Sequence, residues 1–147
     1  MSTHVAQVEW HRDGAPTDST YSRAHVWRFD GGVEVPASSA PHLNGDPARV
    51  DPEEAFVAAI ASCHMLWFLH LASDAGFPVE TYRDDAVATM GRVEDGVLAI
   101  TDVELHPVIT WSGPEPDDAA LAQLHRDSHH RCFIANSVRS NITVAGT

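Results

Sequence analysis

Two cysteines, Cys63 and Cys132, are the residues best suited to chemistry, and they stand 69 positions apart. A thiolate is a nucleophile and a metal ligand, whereas a buried neutral thiol is a small inert hydrophobe. The surroundings of each sulfur therefore decide its use. Cys63 has Ala59, Ile60, Leu66 and Trp67 one turn away on a predicted helix, and apolar burial raises a thiol pKa. It lies about 12 residues into that helix, well past the first turn where the helix dipole acts. Cys63 is thus either packing or a nucleophile whose thiolate is held by an external cation. Arg23 is the candidate cation, because it shares a predicted strand face with Tyr21, Trp27 and Phe29. A guanidinium stays charged when buried and is costly there unless paired. The alternative is an edge arginine whose head snorkels to water. A buried arginine also needs a carboxylate to orient it, and Glu53 and Glu54 are the acids at the head of the apolar helix. Glu53 precedes Cys63 by ten residues, about 15 Å of helical rise, so the two cannot touch within one straight helix. Glu53 could join the same site from the antiparallel helix of a two-fold partner. Otherwise it is a first-turn acid favoured by the dipole.

Cys132 follows His129-His130-Arg131, an electropositive setting that suits a resolving thiol or a metal ligand. A zinc reading would take Cys63, His64, His130 and Cys132. Their spacing matches no known zinc pattern, there is no Cys-x-x-Cys, and Cys63 and His64 project about 100° apart on a helix. Redox chemistry is the better match, with no metal or organic cofactor required. His4, His11, His25, His42, His70, His106 and His125 are scattered and read as solvated or satisfied.

The 147 residues carry a net charge of −12, with no lysine, and 44% are hydrophobic. That composition excludes a disordered chain and gives one domain over residues 1–147. It is also a poor match to nucleic acid or an anionic membrane. The N-terminus has no basic start followed by an apolar stretch, so a cytoplasmic protein is expected and a purely structural disulfide is not. Residues 55–72 form an 18-residue run without Asp, Glu, Lys or Arg. The run is short for a membrane span, contains Ser62, His64 and His70, and is capped like a core or oligomer-interface helix. Asp51 is its cap, Pro52 suits the first turn, Glu54 completes a capping box, and Gly76 and Pro78 stop it.

Around this helix the pattern predicts strands over His4–Trp10, Tyr21–Phe29 and Val33–Val35. A loop over Pro36–Val50 comes next, then two long strands, Val79–Val93 and Val97–Trp111, joined at Glu94-Asp95-Gly96. A second helix from Asp117 to about Arg131 turns Ala119, Leu121 and Leu124 inward, and a last strand spans Asn141–Val144. The order is α+β, with antiparallel sheets around one long hydrophobic helix.

The stretch from Asp51-Pro52-Glu53-Glu54 to Ser62-Cys63-His64-Met65 resembles the signature of the OsmC/Ohr family. That signature is an acid-Pro-Glu-Glu helix start with a cysteine ten residues after its first glutamate. Cys132 to Ser137, with Asn141-Ile142 beyond, is similar to the family's second-cysteine region. The resemblance implies an intertwined homodimer whose central helices carry the first cysteine, and thiol-dependent reduction of organic hydroperoxides. It makes Cys63 the peroxidatic cysteine, Cys132 the resolving one and Glu53 the carboxylate that orients an arginine. Tyr21 to Trp27 resembles a strand of the broader OsmC-like branch and offers Arg23 for that arginine. The glycine-rich N-terminal segment of the Ohr branch is missing, and His64-Met65 stands where a phenylalanine commonly follows the cysteine. The family further implies a dithiol reductant of lipoyl type. The rival reading is a non-catalytic dimeric module that binds a small apolar ligand.

Overall fold

A computed structural model describes residues 1–13 and 21–146. The turn expected over Asp13-Gly14-Ala15-Pro16 lies outside them from Gly14 onward. The chain divides into two units, Met1–Ala55 and Phe56–Thr147. The first holds strands β1 (Ala6–Glu9), β2 (His25–Phe29) and β3 (Glu34–Ala37), paired antiparallel in that order. Gly32 takes φ 78° in the β2–β3 turn, where a side chain would be strained, so the predicted hairpin forms. Arg28 in β2 pairs with Glu9 and Glu34 on the flanking strands. The strand expected from Tyr21 begins only at His25, which leaves Tyr21 and Arg23 ahead of it. The expected Pro36–Val50 loop is partly ordered: Pro36 and Ala37 belong to β3, and Ala37 bridges to Val50.

Helix α1 runs from Pro52 to Asp74. Its start is a reciprocal capping box, in which the Glu54 N–H donates to Asp51 Oδ1 at 2.7 Å and the Asp51 N–H to Glu54 Oε2 at 3.1 Å. Gly76, at φ 82°, ends the helix.

In the second unit each of the two predicted long strands is broken in two. The segments are β4 (Val79–Asp84), β5 (Val87–Arg92), β6 (Leu98–Leu105) and β7 (Pro107–Trp111). β4 pairs with β7, and β5 with β6, both antiparallel. The break has a local cause. Pro107 has no N–H to give a ladder, and the His106 N–H donates instead to the side chain of Asp84 at 2.7 Å. The hairpin tip matches expectation, with Asp95 and Gly96 both at positive φ. Helix α2 (Asp118–Arg131) is capped by Asp117, whose carboxylate accepts the Ala120 N–H at 2.8 Å. Ala119 is exposed, contrary to expectation, and the buried positions are Leu124, His125 and Ser128. The final strand β8 (Asn141–Val144) pairs parallel to β6, so one pairing departs from the otherwise antiparallel pattern.

Splitting the strands gives two surfaces for one helix. Ile60 packs with Val103 and Leu105 beside the β5–β6–β8 sheet, and Phe68 and Ala72 pack with Leu124, Tyr82, Ile109 and Trp111 around β4, β7 and α2. The buried residues of α1 are Ile60, His64, Phe68 and Ala72, one every four positions. By length and composition alone α1 could cross a membrane; here one face of it lines the core.

Asp51→Ala removes the helix cap and is expected to lower the unfolding free energy by about 1 kcal/mol in urea titration, with the m-value unchanged.

Candidate active site

Cys63 sits one position before His64, at the margin of the buried stripe, and is half-buried. Cys132 is the residue that ends α2. Its backbone turns to an extended conformation while its N–H still donates to the carbonyls of Ser128 and His129. The loop that follows wraps the sulfur. Asn136 Nδ2 donates to the carbonyl of His130 at 2.8 Å and of Cys132 at 2.9 Å, and the Ala135 N–H donates to Cys132 Sγ at 3.3 Å. Asn136 was not singled out from sequence, although a helix end followed by a buried cysteine calls for such a clasp.

Both cysteines are free, and Cys63 is close enough to Cys132 to act on its thiol. Burial, followed by the nearby Cys63, pushes the Cys132 thiol up to about 11, and the Ala135 N–H opposes the rise. Cys132 therefore keeps its proton near neutral pH.

Cys63 also opens onto a cavity of about 490 Å³ whose walls include Ala59, Leu66, Trp67, Phe133 and Ile134. The walls are almost wholly apolar. Trp67 and Phe133 meet edge to face at 5.7 Å, and the Arg131 guanidinium lies over Trp67 at 5.7 Å. A cation thus lies over Trp67, one of the residues lining the cavity, and is next in sequence to Cys132.

The other two predicted site residues belong to the first unit. Arg23 is half-buried, donates from Nη1 to the Tyr21 carbonyl at 2.8 Å and stacks over the Tyr21 ring at 4.5 Å. Glu53 lies half-buried in the first turn of α1. Among the described residues Glu53 and Arg23 form no ion pair within one chain.

Under the cysteines lies a feature the sequence reading passed over. His64 and His125 are 1% and 3% exposed, and His64 Nε2 lies 3.0 Å from His125 Nδ1. The rings are nearly parallel, 9° apart, and His125 also stacks on Phe68 at 4.5 Å. Burial pushes both rings down to about 4; neighbouring His125 and then His129 add to the effect on His64. The signal was available: His64 shares the four-residue stripe of Ile60, Phe68 and Ala72, and His125 adjoins Leu124 on the inner face of α2. His64 pairs through Nε2 with His125, a residue outside the zinc set considered above. Among the described residues no group of three or more His, Cys, Asp or Glu side chains converges as a metal site.

The family model described as OsmC-like protein matches residues 45–145. An OsmC-like protein of unknown function from Vibrio cholerae is 45% identical, with 98% of each chain covered and a TM-score of 0.94. An organic hydroperoxide resistance protein from Elizabethkingia anophelis is 22% identical over 100% of this chain and 98% of its own, with a TM-score of 0.72. An organic hydroperoxide resistance protein OsmC from Legionella pneumophila is 19% identical over 98% and 94%, with a TM-score of 0.71. The last two likenesses are of fold. No curated protein matches.

The histidine pair fixes a pH response. Both rings are neutral in the fold and titrate near 6.5 when unfolded, so below that pH the unfolded chain binds more protons. Stability is expected to fall as pH drops from 6.5 towards 4, by about 3 kcal/mol for each ring. Urea unfolding at half-unit pH steps measures it, and a flat profile across that window would contradict the assignment.

Proposed function

The chain belongs to the OsmC family, and from that premise we propose that it is a thiol-dependent peroxidase acting on organic hydroperoxides. Membership supports a redox role. The finer reading rests above all on the closeness of Cys63 to Cys132, near enough to act on its thiol, beside an apolar cavity. The Cys63 thiolate attacks the distal oxygen of R–O–O–H. An S–O bond forms, the O–O bond breaks, and the alkoxide takes a proton and leaves as alcohol; sulfur is oxidised by two electrons to sulfenic acid. Cys132 then attacks the Cys63 sulfur. The S–S bond forms, and the hydroxide that leaves takes the Cys132 proton as water. A small dithiol of lipoyl type reopens the disulfide by exchange and becomes oxidised itself.

The roles follow from the surroundings. Cys132, with its raised pKa and buried sulfur, is the resolving thiol. Its S–H is one stabiliser of the Cys63 thiolate. Arg23, oriented by Glu53 of a two-fold partner, is the proposed second stabiliser and polarises the peroxide. The apolar character all round α1 supports a homodimer built on that helix. The hydroperoxide's organic group would occupy the apolar cavity, as a small water-soluble guest in a cytoplasmic protein. The same cavity is what a non-catalytic binding module would use, and there Cys63 would be unreactive.

Purified protein given cumene hydroperoxide and dihydrolipoamide tests the reading. Turnover is expected, and Cys63→Ser should reduce it more than a hundredfold. Cys132→Ser should accumulate a dimedone-reactive sulfenic acid at Cys63. Arg23→Ala and Glu53→Gln should each lower kcat/KM at least about tenfold. Turnover that survives loss of Cys63 would refute the assignment, and a Cys63 inert to peroxide would favour the binding module.

A further inference from the structure

We propose that the His64–His125 hydrogen bond is a clamp between α1 and α2 that holds Cys132 in reach of Cys63, making both histidines positioning residues for disulfide closure. The inference rests on the redox reading of the two cysteines.

The placement carries it. His64 is next in sequence to Cys63, and His125 lies seven residues, about two turns, before Cys132 on the other helix. One buried hydrogen bond thus ties together the two elements that bear the sulfurs. The remaining packing there is apolar, through Phe68, Ala72 and Leu124. Apolar packing tolerates small rotations because it is non-directional. Disulfide formation does not: an S–S bond is about 2.05 Å long. A turn of α1 by about 20° moves an atom about 5 Å from its axis through roughly 2 Å. A directional bond one residue from Cys63 removes that freedom.

The polarity of the bond is also set. His64 Nδ1 is buried without a partner. A buried N–H donor without an acceptor costs more than a lone pair, so the neutral pair puts its proton on His64 Nε2, donating to His125 Nδ1. His129 is the other titratable group acting on His64, and no carboxylate among the described residues acts on either ring. With no negative charge to hold a second proton, the pair is a neutral bond with a single polarity. That suits a fixed strut better than a proton relay.

The test reads closure without peroxide. In a glutathione buffer the two thiols and one glutathione disulfide exchange to give the Cys63–Cys132 bond and two glutathione thiols, and mass spectrometry of acid-quenched samples gives the equilibrium constant. His125→Phe keeps the ring stacked on Phe68 and deletes the bond; its constant should fall at least about tenfold. His125→Asn, whose amide occupies the Nδ1 position, should stay within about threefold of wild type. The rate at which cumene hydroperoxide first oxidises Cys63 should follow the same order, since Cys132 also steadies the Cys63 thiolate: lowered in His125→Phe and within about twofold of wild type in His125→Asn. A folded His125→Phe with the wild-type constant overturns the proposal. If that variant does not fold, His64→Leu removes the same bond from α1 and must show the same loss. If neither folds, the pair serves the core alone and the proposal also falls. A chain inert to peroxide that still shows the difference between His125→Phe and His125→Asn refutes the peroxidase reading while leaving the clamp intact.

Discussion

A helix of 23 residues that is apolar on every side cannot bury all of itself against one small chain. In this protein it buries a single stripe, Ile60, His64, Phe68 and Ala72, and much of the rest follows from that choice. The long hairpin that covers it breaks at Asp84 and His106, so that one pair of strands serves each end. Cys63, one step off the stripe, lies neither deep in the core nor free in water. Leu66, farther round, is 63% exposed. The two-fold partner proposed above would cover that side of α1 and bring its own Glu53 within reach.

The core carries more polarity than its size suggests. Beside the histidine pair, the Tyr82 hydroxyl and Asp84 Oδ2 are buried without partners. Burial pushes the phenol of Tyr82 up, and it raises the Asp84 carboxyl against the opposing pull of the His106 N–H. Each such group costs stability relative to an apolar side chain of the same shape. They gather where β4 and α2 close over the second half of α1, the stretch beyond Cys63. Beyond its capping box, the half of α1 nearer its start is held by apolar packing, Ile60 against Val103 and Leu105.

What could be read from residues alone was what depends on local rules. The Asp51–Glu54 capping box, the Asp95-Gly96 turn, the Asp117 start of α2 and the two cysteine motifs each rest on a few neighbouring side chains. The misreadings concern long-range geometry. Strict alternation through Asp84 and His106 hides a break that exists because a side chain from one strand takes the other's N–H. Arg23 lies outside β2 since the backbone leaves the ladder before His25, a matter of pairing register. Asn141–Val144 gives no hint of its direction relative to β6, because parallel and antiparallel partners share one alternation. His125 was counted among scattered histidines since nothing in α2 names His64 as its mate across 61 positions.

The 69 positions between the sulfurs also set an order of arrival. At about 5–20 residues per second, a ribosome needs roughly 3–14 s to go from the first to the second. Through that interval the nascent chain has a sulfur with no neighbour to relieve it. An oxidant met then can drive Cys63 beyond sulfenic acid to sulfinic or sulfonic forms, which thiols do not repair. A population made under oxidative attack is therefore expected to contain molecules whose Cys63 was spent before Cys132 was made.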